Sequence, residues 1–319
     1  MKKFAVLFPG QGSQKVGMGL DLFEKTPLAK ELFNKVDSIT GRKISEILLH
    51  GPEDELNQTK NTQPSIVIIS VLLTLLLKDE LKKKGLNFTA SACCGHSLGE
   101  FTALWFCGLL SIEDLINLVA VRGSLMQNAP SGSMAAILNL TKEQIEDLLN
   151  ADNIKNKVII ANYNSPAQFV ISGEKIAIEE ILPKIKSSGG KAIILPVSGA
   201  FHSPLMNTPS REFAKEFDKS QIASNDIKIP IFQNTDGEPS TSTVKIKEKI
   251  KNQMTSPVLW TQTINNLVNT EINTVIEIGP GKILTGLAKK INPNISCYNI
   301  YDYSSLIDFV LSSSSLVGA

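Results

Sequence analysis

The sequence predicts an α/β fold in which a smaller domain is inserted into a larger one. Segments typical of strands and helices alternate along most of the chain, which is the pattern of a mainly parallel sheet covered by helices. Between residues 134 and 197 the order becomes β-α-β-β-α-β, which matches a ferredoxin-like unit. Apolar residues are 42% of the 319 residues and charged residues 20%, so the chain can bury a core and is not of the disordered class.

The predicted strands of the larger domain are short apolar runs bounded by turn residues. They are residues 3–8, 88–94, 230–233 and 274–278. The first run stops at Pro9-Gly10. It is shorter than the apolar core of a signal peptide, which needs roughly 7–15 residues, so a strand is the better interpretation.

The predicted helices of the larger domain are residues 63–84, 98–106 and 112–128. Ser111 followed by Asp114 is a capping signal for the third. The longest apolar run, residues 66–77, is too short for a membrane span, which needs about 20 residues. We therefore expect a buried helix there and no insertion into a membrane.

The smaller domain is predicted to comprise residues 129–197, with residues 1–128 and 198–319 forming the larger one. Its predicted strands are 134–140, 158–161, 168–172 and 192–197, and its predicted helices are 142–150 and 176–188. A turn is expected at Asn164-Ser165-Pro166 because Asn, Ser and Pro favour turns.

Charge and cysteine content exclude several classes of function. Lys and Arg total 32 and Asp and Glu 31, a net charge of +1, which lacks the basic excess of nucleic-acid-binding proteins. The four cysteines include no C-x-x-C pair, so neither a zinc site nor a disulfide framework is predicted. We expect a cytoplasmic protein with no bound metal and no nucleic-acid partner.

The segment from Gly95 to Gly99 reads G-x-S-x-G, with Ser97 at its centre. It lies between a predicted strand and a predicted helix, which is where a nucleophile elbow would occur. Such a turn exposes the serine hydroxyl and directs the following N–H groups toward the bound substrate. The alternative is an ordinary packed turn.

A serine nucleophile needs a base, and the chain has three histidines. His96 is next to Ser97 and is expected to point away across the turn, and His50 is expected to be solvated at a helix end. His202 follows a predicted strand in a loop bounded by Gly199 and Pro204, and such loops often carry function. His202 is therefore the predicted base, with a packing or surface role as the alternative.

Arg122 falls near the centre of the apolar stripe of the helix predicted at 112–128. A guanidinium in that position is costly unless an anion meets it. Two interpretations remain open, a structural ion pair and a clamp for a substrate carboxylate.

The loop after the first strand contains Gln11 between two glycines and lacks the spacing of a phosphate-binding loop. It can bring an amide N–H to a reacting carbonyl, or it can be an ordinary tight turn.

With these residues in view, the sequence resembles malonyl-CoA:acyl carrier protein transacylases over nearly its whole length. The motifs that carry the resemblance are Phe8-Pro9-Gly10-Gln11-Gly12-Ser13-Gln14, Thr62-Gln63-Pro64, Gly95-His96-Ser97-Leu98-Gly99-Glu100, Arg122-Gly123, Met126-Gln127, Gly199-Ala200-Phe201-His202-Ser203-Pro204, Pro257-Val258-Leu259-Trp260 and Glu277-Ile278-Gly279-Pro280-Gly281.

The resemblance implies an α/β-hydrolase-like parallel-sheet core with the ferredoxin-like subdomain inserted. It implies Ser97 as the nucleophile and His202 as the general acid and base. It implies an oxyanion hole formed by the backbone N–H groups of Gln11 and Leu98, and Arg122 as the ligand of the malonyl carboxylate.

The remaining site residues also follow from the resemblance. A carbonyl at Gln253 is expected to orient His202 in place of an acid, and Phe201, Met126 and Asn162 are expected to line the acyl pocket. Phe201 resembles the malonyl-type signature, because related domains that select methylmalonyl units usually have Ser there. Phe101 departs from the family, which commonly has Tyr at this position.

The resemblance implies transfer of a malonyl group from malonyl-CoA to the phosphopantetheine thiol of acyl carrier protein, for fatty acid elongation. The expected mechanism is ping-pong, through a malonyl-serine intermediate. It needs no bound cofactor, and the protein is expected to be a monomer. The alternatives are a thioesterase or esterase on the same elbow and a non-catalytic module that binds acyl carrier protein.

Overall fold

The computed structural model describes residues 3–150, 154–197, 199–312 and 316. Ser198, the first residue of the predicted second core segment, and both chain ends lie outside the described residues. The strands are β1 (Ala5–Phe8), β2 (Ala92–Gly95), β3 (Ser133–Leu138), β4 (Val158–Ser165), β5 (Gln168–Gly173), β6 (Lys191–Ile194), β7 (Ile231–Phe232), β8 (Pro239–Ser240), β9 (Thr274–Ile278) and β10 (Ser296–Ile300).

The helices are α1 (Leu20–Lys25), α2 (Pro27–Thr40), α3 (Ile44–His50), α4 (Glu53–Asn57), α5 (Thr59–Lys83), α6 (Gly99–Phe106), α7 (Ile112–Gln127), α8 (Lys142–Leu149), α9 (Lys175–Ser187), α10 (Asn207–Lys219), α11 (Thr243–Asn252), α12 (Trp260–Asn269), α13 (Ile283–Ile291) and α14 (Tyr303–Ser312). Short 3-10 turns occur at Pro204–Met206 and Gln253–Thr255.

The larger sheet has six strands in the order β10-β9-β1-β2-β7-β8. All neighbours pair in parallel except β7 and β8, so the carboxyl ends of β1 and β2 lie at the same edge. The loop that holds Gln11 follows β1, and Ser97 follows β2. Ligand sites of open α/β sheets form at this edge.

The smaller sheet is antiparallel, in the order β4-β5-β3-β6. Helices α8 and α9 bury Ile145, Ile178 and Ile181 in an apolar cluster drawn entirely from this part of the chain. Strand order and connectivity are those of the predicted ferredoxin-like unit. The predicted fold class is thus confirmed: a parallel-sheet core with a small antiparallel-sheet subdomain.

The two sheets are joined beside the edge that carries the site. The N–H of Tyr163 donates to the carbonyl of Val258 (2.9 Å), and the N–H of Val258 donates to the carbonyl of Ala161 (2.8 Å). A second bridge pairs Ser131 with Gly199. Strand β4 is therefore hydrogen-bonded to its own sheet and to the main body of the protein.

Several predicted boundaries differ from the structure. The strand predicted at 158–161 continues to Ser165, because Asn162 and Tyr163 still pair with β5, so the turn follows at 166–167. Helix α5 begins at Thr59, four residues before its predicted start. The helix predicted after Ser111 is confirmed, and the Ser111 hydroxyl accepts from the Asp114 N–H (3.0 Å).

Helix α5 crosses the core of the larger part of the protein. Nearly every side chain from Thr59 to Thr74 is buried, so the helix has no solvent-exposed face over its first four turns. Among the described helices, none is both long enough and apolar enough to span a bilayer.

Candidate active site

The turn between β2 and α6 brings the backbone of Ser97 into the left-handed region, with φ of 49°. The flanking glycines allow this turn because other parts of the backbone lie against them. A Cβ at Gly95 would lie 2.1 Å from the Gly99 carbonyl oxygen, and a Cβ at Gly99 would lie 2.0 Å from that of Phe8. Both positions therefore require glycine, and the turn exposes Ser97 at the sheet edge.

His202 lies beside Ser97, with its Nε2 2.7 Å from the serine Oγ. On the other side of the ring, Nδ1 lies 3.1 Å from the Gln253 carbonyl oxygen and 3.0 Å from that of Ser256. Carbonyl oxygens only accept hydrogen bonds, so the proton of a neutral ring is on Nδ1. Nε2 is then the acceptor for the Ser97 hydroxyl.

The His202 ring is held in its neutral form. Its side chain is 3% exposed. Burial, and next the charge of Arg122, lower its pKa to about 3. At neutral pH the imidazole is therefore uncharged, and its Nε2 can accept a hydrogen bond from the Ser97 hydroxyl.

Arg122 of α7 is 1% exposed and reaches the same point. Its Nη2 donates to Ser97 Oγ (3.1 Å) and to Gln253 Oε1 (2.9 Å), and the guanidinium carbon lies 5.3 Å from the centre of the Phe101 ring. None of the ion pairs in the described part of the chain involves Arg122, and its buried Nε has no hydrogen-bond partner there. The sequence allows two interpretations of Arg122, as part of a structural ion pair or as a clamp for a substrate carboxylate. Among the described residues, no such ion pair is present.

Glu100 is connected to this cation through an amide. Its Oε2 accepts from Gln253 Nε2 (2.7 Å), and the opposite end of the same amide accepts from Arg122. Burial raises the pKa of Glu100 to about 7, although its hydrogen bonds and the charge of Arg122 oppose the shift. The carboxyl is therefore a distant and only partly ionised counter-charge near neutral pH.

A cavity of about 300 Å³ opens at this group. The sequence-predicted residues that line it together with Ser97, His202 and Arg122 are Gln11, Leu98, Met126, Asn162 and Phe201. Within the described residues, the N–H groups of Gln11 and Leu98 have no hydrogen-bond acceptor in the protein. Two of the residues that line the cavity with Ser97 thus have backbone donors that are unpaired within the described residues.

The other two histidines lie elsewhere. His96 donates from Nε2 to Asn164 Oδ1 (2.8 Å), and its ring contacts Trp260 edge-on with centroids 5.5 Å apart. His50 is exposed at the end of α3. His202 is therefore the histidine that the structure brings to Ser97, as the elimination predicted.

Sequence reasoning missed three contributors to the site. Ser256 supplies the second carbonyl for His202, Glu100 binds Gln253, and Asn234 binds the backbone around Ser97. Glu100 stands in a motif that carries the resemblance, but neither Ser256 nor Asn234 lies in a pattern that indicates such a contact. In the described residues there is no group of three or more His, Cys, Asp or Glu side chains that could hold a metal ion.

Comparisons with known proteins agree with this geometry. The acyl transferase domain family model matches residues 6–293. The malonyl CoA-acyl carrier protein transacylase of Bacillus subtilis (strain 168) is 39% identical over 311 residues, which cover 95% of this chain and 94% of the relative.

Two solved structures share the fold over their full length. The malonyl-CoA:ACP transacylase of Synechocystis sp. PCC 6803 is 38% identical with a TM-score of 0.85, and the match covers 96% of this chain and 99% of that one. A structure of a type II PKS acyl-carrier protein in complex with its malonyl-transacylase is 33% identical with a TM-score of 0.90, covering 98% and 100%. The chain therefore belongs to the malonyl CoA-acyl carrier protein transacylase family.

Proposed function

We propose that this protein transfers a malonyl group from malonyl-CoA to the phosphopantetheine thiol of acyl carrier protein, by a ping-pong mechanism through an ester on Ser97. The observation that carries the proposal is the contact of Arg122 with Ser97. A buried guanidinium that makes no ion pair in the described residues lies 3.1 Å from a serine that is paired with a neutral histidine. An acyl group with a free carboxylate would satisfy the guanidinium while it presents its carbonyl to the serine.

In the first half-reaction, the malonyl carboxylate binds Arg122 and the thioester carbonyl lies over Ser97. The Ser97 proton passes to His202 Nε2 while Oγ forms a bond to the carbonyl carbon. The resulting oxyanion accepts hydrogen bonds from the N–H groups of Gln11 and Leu98. When the intermediate collapses, the C–S bond breaks and the CoA sulfur takes the proton from His202.

In the second half-reaction, the phosphopantetheine thiol gives its proton to His202 Nε2 and attacks the malonyl ester. The C–O bond to Ser97 breaks, and Ser97 Oγ recovers the proton. All of these steps use protein side chains, backbone N–H groups and the two thiols. The two carbonyls that hold Nδ1 would also stabilise the imidazolium formed in each half-reaction.

The hydrogen bonds of the elbow support Leu98 as one oxyanion donor. The N–H of Ser97 donates to Asn234 Oδ1 (2.6 Å), and the N–H of Gly99 donates to the His96 carbonyl (2.9 Å). The N–H of Leu98 lies between them in the chain and is free within the described residues.

The partner and the domain division are part of the same proposal. A related malonyl-transacylase has been solved in complex with an acyl-carrier protein, which supports such a carrier as the acceptor here. We further propose that residues 129–197 form the smaller subdomain and that residues 1–128 and 198–319 form the catalytic core. The separate apolar cluster around α8 and α9 supports this division. The expectation of a cytoplasmic protein is supported by four cysteines that are all free.

The decisive experiment is intact-protein mass spectrometry after brief mixing with malonyl-CoA in the absence of an acceptor. The proposal predicts one malonyl adduct on Ser97 that holo acyl carrier protein then removes onto its own thiol. Ser97→Ala should form no adduct. Rapid release of malonate without an acceptor would instead indicate a thioesterase, and an adduct on another residue would refute the assignment of Ser97.

A further inference from the structure

We propose that Asn234 is a positioning residue that holds the nucleophile elbow in its reactive conformation. It lies in the turn after β7 and is fully buried, 137 positions after Ser97 in the chain. The inference rests on the proposed use of Ser97 as a nucleophile, but it does not depend on which acyl group is transferred.

The amide of Asn234 binds the backbone on both sides of the turn. Its Oδ1 accepts from the Ser97 N–H (2.6 Å), and its Nδ2 donates to the Gly95 carbonyl (2.7 Å). One planar side chain thus connects the residue that ends β2 with the nucleophile two positions later. With the Ser97 N–H bound in this way, the next N–H in the chain, that of Leu98, has no acceptor among the described residues.

Ser97 needs such a contact because its φ of 49° is unfavourable for a residue with a side chain. Strained residues persist when the surrounding structure determines their conformation. If the Asn234 amide were removed, the Ser97 N–H would lose its acceptor. The turn could then relax, and relaxation would move Oγ away from His202.

Asn234 is itself fixed by its backbone. Its N–H lies 3.4 Å from Glu100 Oε1, and its carbonyl accepts from the Leu259 N–H (2.9 Å). The other oxygen of Glu100 accepts from Gln253, whose carbonyl binds His202. Glu100 therefore connects the segment that positions the nucleophile to the segment that positions the base.

The test compares Asn234→Leu with wild type in two rates at Ser97: malonylation by malonyl-CoA and labelling by a fluorophosphonate. Leu has a similar volume and no hydrogen bonds. We expect both rate constants to fall about 10- to 100-fold, as the loss of buried hydrogen bonds at the turn implies. The Kd for malonyl-CoA, measured in a Ser97→Ala background, should stay within about twofold, because Asn234 contacts the elbow and not the substrate.

The matched control is Asn299→Leu on β10, at the far edge of the sheet. That amide also makes two side-chain hydrogen bonds, to Glu277 (3.1 Å) and Thr285 (2.6 Å). Asn234→Asp keeps an acceptor for the Ser97 N–H and should recover part of the rate lost in Asn234→Leu. It also provides the comparison if Asn234→Leu does not fold.

The proposal is overturned if Asn234→Leu reacts as fast as wild type, if Asn299→Leu slows both reactions equally, or if Asn234→Asp reacts at the wild-type rate. If wild type is labelled by the fluorophosphonate but not by malonyl-CoA, the proposed function fails, and the labelling rates still decide the role of Asn234.

Discussion

The guanidinium of Arg122 and the hydroxyl of Ser97 lie in direct contact, with Nη2 3.1 Å from Oγ. The Ser97 oxygen thus accepts from a cation while its proton faces His202 Nε2. A positive charge at this distance would stabilise an alkoxide formed on Ser97. The same group that we propose for the substrate carboxylate would therefore also polarise Ser97, the proposed nucleophile, and its removal should have two separable effects.

We expect Arg122→Ala to reduce the preference for malonyl-CoA over acetyl-CoA by one to two orders of magnitude. A charge-assisted hydrogen bond contributes roughly 1.5–3 kcal/mol, which corresponds to about 10- to 150-fold in a rate or binding constant. Acetyl-CoA should gain in relative terms, although both substrates should react more slowly because Ser97 loses its cation. The measurement is kcat/KM for the two thioesters, with Arg122→Lys as the variant that keeps the charge. An unchanged malonyl-to-acetyl ratio in Arg122→Ala would refute the carboxylate assignment.

As the pH falls from about 8 to 5, the acylation rate should not decrease through protonation of His202. An ordinary histidine is half protonated near its pKa of about 6.5. Because the pKa of His202 is lowered to about 3, its neutral form stays populated throughout this range. The other ionisable groups near His202 are Arg122, His96 and Glu100. Because the pKa of Glu100 is raised to about 7, its carboxyl titrates between pH 8 and pH 5.

Glu100→Gln removes that second titration and keeps the size of the side chain. We expect a flat pH profile for the single-turnover acylation of this variant, measured by quenched flow. A midpoint near pH 6.5 in Glu100→Gln would contradict the lowered pKa of His202.

In Arg122→Met the loss of a neighbouring cation should move the His202 pKa upward, which NMR titration of the ring can detect.

Two glycine substitutions should have opposite effects on stability. At Gly99 a Cβ would lie 2.0 Å from the Phe8 carbonyl oxygen, so Gly99→Ala must displace backbone and should cost more than about 3 kcal/mol. Gly286 is exposed inside α13, and a Cβ added there would have nothing within 4 Å of it. Gly286→Ala should therefore stabilise the protein by about 0.5–1 kcal/mol. Urea unfolding of both variants tests this pair, and equal losses of stability would contradict it.

Replacement of Phe201 by Ser should widen the range of acyl groups accepted. The ring is buried and lines the cavity beside Ser97 and His202. An added methyl group in a fitted pocket is discriminated by about 1–3 kcal/mol, so space for it should raise the relative rate with methylmalonyl-CoA about tenfold or more. Competition between the two thioesters, resolved by the mass of the Ser97 adduct, gives the ratio directly. An unaltered ratio would show that Phe201 does not limit the pocket.

The sequence predicts those site residues that stand out in a local pattern, such as a turn motif or a helix face. Ser97 stands in a five-residue turn whose glycines are required sterically, and Arg122 stands out because a cation interrupts an apolar helix face. His202 follows from elimination among three histidines. The structure brings these three side chains together, while their chemical roles stay predictions.

The sequence does not reveal site residues whose roles depend on contacts between positions far apart in the chain. The amide of Asn234 reaches an N–H 137 positions away, and no periodicity or spacing records such a bond. The same limit applies to the fold. The ferredoxin-like unit has complete local patterns, whereas the two-residue strand β8 has no such pattern and forms because β7 pairs with it.

Because the chain is synthesised from its N-terminus, contacts between Ser97 and residues far along the chain can form only late in synthesis. The side chain of Gln253 binds the Ser97 carbonyl across 156 positions, and both carbonyls that fix His202 come from residues 253–256. A chain is synthesised from its N-terminus and its domains fold as units, so Ser97 leaves the ribosome long before the residues that orient His202, the proposed base. A nascent chain that ends at α11 would lack the carbonyls that orient His202, and the proposed malonylation of Ser97 would begin only once the segment beyond α11 had docked.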